Sequence, residues 1–180
     1  GITTSQLGNA YELGMYLQRR FTQSSLALQL RPSYMFQTTT GTGSSGTYEY
    51  SVSGFAIMPL LRAYILENKS VKLYIQGGVG WGYLNGSIEE ADAKVKFGGS
   101  NTGYQGGMGV LFCLSTSGNH CFFTEGNVRY LPIERNTVSE TSGSFASGSL
   151  TQSTKGTELE IDSHDFGTTM SGIQGIIGYH

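Results

Sequence analysis

Residues 104–114 read YQGGMGVLFCL and residues 121–132 read CFFTEGNVRYLP, and these two stretches decide the fold. In the first stretch the even positions carry apolar or aromatic side chains such as Met108 and Phe112, and most odd positions are small or polar. The second stretch alternates in the same way. A period of two residues is typical of a β-strand, whose successive side chains point to opposite faces. The intervening residues 115–120 contain Gly118 and Asn119, which favour tight turns, so the sequence predicts a β-hairpin.

The polar face of this hairpin indicates which side is enclosed. Glu125, Asn127 and Arg129 share one face of the second arm, and such groups are enclosed only when they pair with one another. The opposite face carries aromatic rings near the ends of both arms, as the aromatic girdles of a membrane barrel do. We therefore expect the charged side chains to face the axis and lipid to contact the face that bears Leu28, Val79, Val110 and Tyr130.

Length and composition limit the class of protein. With 180 residues, the chain is expected to form a single domain, residues 1–180. Charged residues make up only 13% of it and Gly accounts for 27 positions, yet no segment approaches the roughly 18 apolar residues of a transmembrane helix. A membrane protein of this composition crosses as a closed sheet. The net charge of −2, without a basic cluster, predicts no nucleic-acid partner.

Seven strands are predicted, and their connections follow a pattern. Short joints at residues 22–25, 67–70 and 115–120 alternate with long polar loops at residues 38–46, 84–103 and 135–163. Outer-membrane barrels have short periplasmic turns and longer external loops. A bulge or local break is expected at Pro32, which cannot donate to a strand ladder, and a bulge is expected at residues 54–59, where the alternation blurs.

The odd number of strands predicts an additional one. Bacterial single-chain barrels contain an even number of strands. We therefore expect an eighth strand that precedes Gly1 or is supplied by another segment or chain.

Four stretches carry a resemblance to a known family. They read YELGMYLQRRF at 11–21, SLALQLRPSYMF at 25–36 followed by GFAIMPLLRAYI at 54–65, LYIQGGVGWGY at 73–83 and SGIQGIIGYH at 171–180. The sequence resembles the small, porin-like outer-membrane β-barrel family, related in architecture to the OmpA transmembrane domain and to OmpX. The resemblance implies an all-β, transmembrane, antiparallel up-and-down barrel of about eight strands in the bacterial outer membrane. The last stretch resembles the C-terminal insertion signal of such proteins, which usually ends on an aromatic residue, whereas this chain ends at His180.

Eight charged side chains are predicted to face the interior. The interior of an eight-stranded barrel is just wide enough for side chains to fill it, so we expect a salt-bridged plug. A narrow porin-like conduit is the alternative. The predicted interior polar network consists of Glu12, Arg20, Arg31, Glu49, Arg62, Lys72, Glu125 and Arg129.

The two cysteines, Cys113 and Cys121, lie at equal distances from Ser117 in the predicted turn. This symmetry places them opposite each other on the same face, where a cross-strand disulfide is geometrically plausible. A disulfide would fit an oxidising compartment such as the periplasm. Two free, buried thiols are the alternative.

The expected function is structural, or surface interaction through the Ser/Thr/Gly-rich external loops, with the lipid bilayer as the main partner. A narrow conduit and a barrel subunit that docks another envelope protein are alternatives, and a soluble lipocalin-like barrel is the rival fold. A lipid-modifying enzyme is less favoured, because His120, His164 and His180 are expected at separate places and no GxSxG or HExxH motif occurs. The two cysteines and distant histidines do not form a zinc site, so no metal or cofactor is expected.

Overall fold

The computed structural model describes residues 10–43, 46–90, 92–114, 120–143, 154–161, 164–165 and 167–179. These residues form β-strands and connections without a helix. No helix among the described ranges is long and apolar enough to cross a membrane. The strands are β1 (Tyr11–Gly14), β2 (Leu17–Arg20), β3 (Leu26–Gly43), β4 (Gly46–Glu67), β5 (Val71–Glu90), β6 (Ala93–Cys113), β7 (Cys121–Tyr130), β8 (Pro132–Ile133), β9 (Thr137–Ser142), β10 (Glu160–Ile161), β11 (His164–Asp165), β12 (Thr168–Thr169) and β13 (Gly172–Tyr179).

The main sheet is antiparallel and curls into a half-barrel of seven strand positions. Its order is β1, β3, β4, β5, β6, β7, β13. β2 follows β1 on the same edge of the sheet and also pairs with β3. β9 pairs with the part of β6 that extends past its pairing with β7. The seven predicted strands and the all-β antiparallel class are thus confirmed. β1 with β2 forms one edge of the curled sheet and β13 forms the other.

The predicted hairpin is confirmed. β6 and β7 pair without a register shift from Tyr104 opposite Tyr130 to Cys113 opposite Cys121. The two cysteines form a disulfide bond. Residues 115–119, in the predicted turn, lie outside the described residues.

The predicted loops at residues 38–46 and 84–103 are wrong. β3 and β4 continue as one hairpin to Gly43 and Gly46, and β5 and β6 continue to Glu90 and Ala93. The missed signal was the short alternating segment Ala93-Lys-Val-Lys-Phe97, whose apolar members point inward and are buried. The predicted loop at 135–163 is also partly a strand, because β9 pairs with the outer part of β6.

The pairing along β3 is interrupted at Pro32, as predicted, whereas the bulge predicted at residues 54–59 is wrong. β3 runs unbroken through Pro32, and the break falls in the neighbouring edge, between β1 and β2. There the Met15 N–H donates to the Pro32 carbonyl at 3.1 Å, and Pro32 has no N–H to return the bond. β4 keeps one register against β3 throughout residues 54–59, and its irregularity against β5 lies between Tyr64 and Leu66.

The alternation of inward and outward side chains continues along β4 without a shift, so the prediction that Glu49 faces the interior is wrong. Even positions from Val52 to Arg62 face inward and are buried. Glu49, at an odd position, is exposed on the outer face. It therefore lies outside the interior network, because the expected change of facing does not occur.

The two faces of the sheet have the predicted orientation. Val79 on the outer face is 69% exposed, whereas Arg31 and Arg129 on the inner face are 8% and 5% exposed. The inner face has three zones along the strands. An aromatic zone lies near the short turns, a polar zone follows, and an apolar core fills the end near the long hairpins, where Leu131, Met170 and other residues from 131–170 pack against the sheet.

Candidate functional site: a buried charge network

The centre of the polar zone is the Glu125 carboxylate on β7, which is 4% exposed. Its Oε1 lies 2.5 Å from Nη1 of Arg31 and its Oε2 lies 3.1 Å from Nη2 of Arg62. The Tyr74 hydroxyl donates to Oε2 at 2.8 Å, and Nδ2 of Asn127 donates to Oε1 at 3.0 Å. The carboxylate is thus surrounded by donors from four strands, β3, β4, β5 and β7, which gives it the pairing that a buried charge requires.

Neutral amides extend the network around Arg62. Its Nε and Nη2 donate to Oε1 of Gln76 at 3.0 and 2.8 Å, and Nη2 also donates to Oε1 of Gln29 at 3.3 Å. Its guanidinium carbon lies 3.7 Å from the centre of the Tyr74 ring, a cation–π contact. The buried charge network consists of Gln29, Arg31, Arg62, Tyr74, Gln76, Glu125 and Asn127.

A second inward ion pair joins the two ends of the sheet. Nη1 and Nη2 of Arg129 on β7 bind the two carboxylate oxygens of Glu12 on β1 at 2.7 and 2.9 Å. Nε of Arg129 donates to the Met170 carbonyl at 2.7 Å, and Nε2 of Gln174 on β13 donates to Glu12 at 2.6 Å. Glu12 therefore connects the β1 edge to both β7 and the β13 edge.

Arg20 and Lys72, two further predicted interior residues, lie instead at the end with the short turns. Nη1 of Arg20 is 2.5 Å and Nζ of Lys72 is 3.1 Å from Oε1 of Glu67, forming a rim cluster. The hydrogen bond from Arg20, together with that from Lys72, lowers the pKa of Glu67 to about 2. These side chains are partly exposed, so the cluster contributes less to stability than the buried charge network.

The structure thus divides the eight predicted residues into four groups. Arg31, Arg62 and Glu125 meet in the buried charge network; Glu12 and Arg129 pair beside it; Arg20 and Lys72 meet at the rim; Glu49 is exposed elsewhere.

Sequence reasoning missed the uncharged members of the network. Gln29 lies two residues from Arg31, Gln76 lies two residues from Tyr74, and Asn127 lies two residues from Glu125. The sequence offered one signal for them: each lies two residues from a charged or aromatic member of the network on the same strand. Residues two apart on a strand share a face of the sheet.

Apolar layers close the polar zone on both sides. Toward the short turns lie Tyr74, Phe123 and the disulfide, with the Tyr16 ring edge-on to Phe123 at 5.4 Å. Toward the long hairpins, the apolar core contains Met58, Leu84 and Leu131. Within the described interior, three guanidinium groups (Arg31, Arg62, Arg129) accompany two carboxylates (Glu12, Glu125), an excess of one positive charge.

The outer face carries a continuous apolar band. On β5 it runs from Leu73 to Tyr83, and Ile75, Val79 and Trp81 within it are 47%, 69% and 42% exposed. Paired rings mark its ends: Tyr104 lies 5.2 Å from Tyr130, and Phe122 lies 5.3 Å from Tyr179. Beyond Tyr83 the outward residues of this strand become polar, beginning with Asn85.

A groove separates the two edges of the curled sheet, and we call it the seam. Its volume is about 1050 Å³, and β1, β2 and β13 form its walls. Glu12, Arg31, Ser33 and Arg129 line its inner side. Between the described parts of these edges no backbone hydrogen bond occurs.

The histidines do not form a site among the described residues. His120 contacts the Tyr179 hydroxyl through Nδ1 at the end with the short turns. His164 pairs through its backbone with Ile161 in the separate β10–β11 ladder, and His180 lies outside the described residues. Within the described ranges, no group of three or more His, Cys, Asp or Glu side chains is placed to hold a metal ion.

No family model matches the sequence, and neither a curated protein nor a solved structure matches it.

Proposed function

We propose that this protein is an integral β-barrel protein of the bacterial outer membrane, of the small OmpA- and OmpX-like kind, with a plugged interior. Its role is structural or surface interaction through the long hairpins. The observation that carries the proposal is the combination of an apolar outer band with a charged, hydrogen-bonded interior. A water-soluble barrel would have the opposite arrangement.

The dimensions of the band support a membrane crossing. From Leu73 to Tyr83 the strand makes ten residue steps, about 33 Å at roughly 3.3 Å per residue. Tilted by about 40°, as barrel strands are, this length spans about 25 Å, the height of the apolar band of an outer-membrane barrel. The end of β6 and the residue that follows it, from Tyr104 to Leu114, cover the same number of steps. Both strands therefore match one hydrocarbon layer.

The aromatic residues near the long hairpins support the same placement. Trp81 stacks on Tyr83 with ring centres 6.3 Å apart, and Tyr11 stacks on Phe36 at 5.7 Å. Amphipathic rings are enriched where hydrocarbon meets headgroups. The polar outward residues that follow these rings would then lie outside the membrane.

The filled interior favours a plug over a conduit. Glu125 has partners on four strands, and apolar layers close the polar zone at both ends. A continuous water path would require these contacts to separate, leaving buried charges unpaired. The charged side chains therefore serve to hold the walls together.

The single tryptophan provides a direct test of the membrane placement. The protein would be reconstituted into vesicles whose lipids carry bromine at a shallow or a deep acyl position, since bromine quenches tryptophan on contact. Trp81 is expected to be quenched more by shallow bromine, because it lies near the end of the apolar band. In Trp81→Phe/Val79→Trp, two residues closer to the centre, deep bromine should quench more. In the control Trp81→Phe/Asn85→Trp, above the band, both should quench weakly. Equal, weak lipid quenching of all three proteins would overturn the proposal.

Conductance in planar bilayers tests the plug. Protein from the preparation that gives the expected Trp81 quenching should produce no current steps in a planar bilayer. An open porin, measured in parallel, should produce them. Reproducible steps from the purified protein would overturn the plugged interior and favour the narrow conduit.

A further inference from the structure

We propose that the buried charge network binds one small monovalent anion, of the size and charge of chloride, at the Gln29 side chain beside Arg31. The inference is independent of the membrane placement, because it concerns groups that are buried on the inner face whatever surrounds the outer face. Three observations carry it: an unbalanced positive charge, a buried N–H donor without an acceptor, and a groove that reaches Arg31.

The charge balance of the network leaves one positive charge over. Arg31 and Arg62 share a single carboxylate among the described residues, that of Glu125, whose two oxygens each face one guanidinium group. The other inward carboxylate, Glu12, is bound by both terminal nitrogens of Arg129 and forms a pair of its own. Guanidinium groups keep their charge in proteins, and a buried charge without a counter-charge is costly. A monovalent anion would make the network neutral, whereas a divalent anion would reverse the excess.

The Gln29 amide supplies the donor that an anion requires. Its Oε1 accepts hydrogen bonds from Nη2 of Arg31 at 3.2 Å and from Nη2 of Arg62 at 3.3 Å, which requires the amide oxygen to face the guanidinium groups. Its Nε2 is fully buried and has no hydrogen-bond partner among the described residues. A buried N–H without an acceptor is unfavourable. The amide therefore binds guanidinium groups through its oxygen and would hold the anion through its nitrogen.

A groove gives solutes access to this position. Arg31 belongs to the buried charge network and also lines the seam, whose volume is about 1050 Å³. Gln29 lies two residues before Arg31 on β3, so both side chains point to the inner face. A water molecule here would satisfy the Gln29 donor but would leave the positive charge unbalanced. An anion meets both requirements, whereas water meets only one.

Chloride-dependent unfolding tests the site in solution. The protein in detergent micelles would be unfolded by urea and followed by Trp81 fluorescence, while chloride replaces gluconate at constant ionic strength. Gluconate is the reference because it is also monovalent but is too large to be enclosed. A ligand that binds only the folded state stabilises it, so the unfolding equilibrium constant should fall about tenfold for each tenfold rise in chloride above its dissociation constant.

Two glutamine-to-glutamate variants separate the site from a general salt effect. Gln29→Glu keeps an acceptor for Arg31 and Arg62 but replaces the N–H donor with a carboxylate oxygen. It neutralises the network from within and should abolish the chloride dependence. Gln18→Glu is the control, because the described side-chain hydrogen bond of Gln18 goes to the Tyr64 hydroxyl, outside the network. This variant should retain the chloride dependence of the wild type.

Bromide locates the anion directly in the wild-type protein, so this measurement decides the question even where Gln29→Glu does not fold. Crystals grown from sodium bromide should show an anomalous peak within hydrogen-bond distance of Nε2 of Gln29. Water only at this position, an equal stability of the wild type in chloride and gluconate, or an undiminished chloride response of folded Gln29→Glu would overturn the proposal. A bromide peak without any chloride dependence in solution would indicate an adventitious ion only and would overturn it as well.

Discussion

Replacing Glu125 by glutamine is expected to destabilise the protein strongly. The substitution keeps the shape of the side chain and removes the only carboxylate within 4 Å of Arg31 and Arg62 among the described ion pairs. Arg62 retains Gln76 as an acceptor, whereas Arg31 retains only the 3.2 Å bond to Gln29 among its described hydrogen bonds. Removal of one partner from a buried ion pair costs about 3–5 kcal/mol, and we expect a loss in this range.

The matched control is Glu67→Gln in the rim cluster. Glu67 also faces two cations, Arg20 and Lys72, but its side chain is 30% exposed, whereas that of Glu125 is 0% exposed. Exposed ion pairs contribute about 0–1 kcal/mol, so the control should change the free energy of unfolding by no more than that. The comparison isolates burial, because the chemical change is identical.

The assay is urea unfolding from lipid vesicles, followed by Trp81 fluorescence and by the mobility difference between folded and heat-unfolded protein on gels. The Glu125→Gln variant should unfold at a clearly lower urea concentration. Arg31→Met in the Glu125→Gln background should recover part of the loss, because it removes the uncompensated charge. A loss for Glu125→Gln below about 1 kcal/mol, equal to that of Glu67→Gln, would refute the reasoning that the interior is a dry, paired plug.

Three other features of the sheet can be tested by substitution or titration. Gly78→Ala should lower the free energy of unfolding by about 1–3 kcal/mol, because its added Cβ would lie 2.0 Å from the Pro59 carbonyl oxygen. Gly126→Ala is the control and should have little effect in the same urea assay, because its added Cβ would have nothing within 4 Å. Equal effects of the two substitutions would contradict the close approach of β4 and β5. Replacing both Cys113 and Cys121 by alanine opens a loop with a sequence separation of 8 and should cost roughly 2–3 kcal/mol, a value that a reduced wild-type sample should reproduce; unchanged unfolding midpoints would argue against a stabilising disulfide. Because the folded-state pKa of Glu67 is about 2 against an ordinary 4.5, its contribution to stability is present above pH 4.5 and is lost as the pH falls toward 2. A carbon NMR titration should show this low pKa. Arg20→Gln should raise the pKa of Glu67, and Lys69→Gln in the adjacent turn should leave it unchanged.

Much of the sheet could be predicted from the sequence because the outward residues of its central band are largely apolar. The alternation of Met108, Val110 and Phe112 with small residues separates the two faces of the strand, and the cysteine pair fixes the hairpin register. The charged members of the buried network followed from the same alternation. Their partners did not, because pairing between Arg31 on β3 and Glu125 on β7 depends on the curvature of the sheet.

The errors share a physical cause. Outside the apolar band the outward residues are polar as well, so Thr, Ser and Gly in the long hairpins look like loop residues. Their strand structure depends on the inner face, where Tyr50 stacks on Phe97 at 6.2 Å and Val138 of β9 packs in the same core. Burial in this core raises the pKa of Tyr50 to about 12. Glu49 was misplaced for a related reason, since Pro59 and Gly54 suggested an interruption that the register does not contain.

Under the proposed membrane placement, the β5–β6 hairpin determines how far the protein extends beyond the apolar band. From Tyr83 to Glu90 the strand rises by seven residue steps, about 23 Å along its own direction. Val95 and Phe97 of β6 pack in the apolar core, so the inner face supports the described strands of this projection as far as Ala93. A peptide epitope inserted between Glu90 and Ala93 would accordingly be displayed clear of the lipid headgroups, and an antibody against it would bind intact cells.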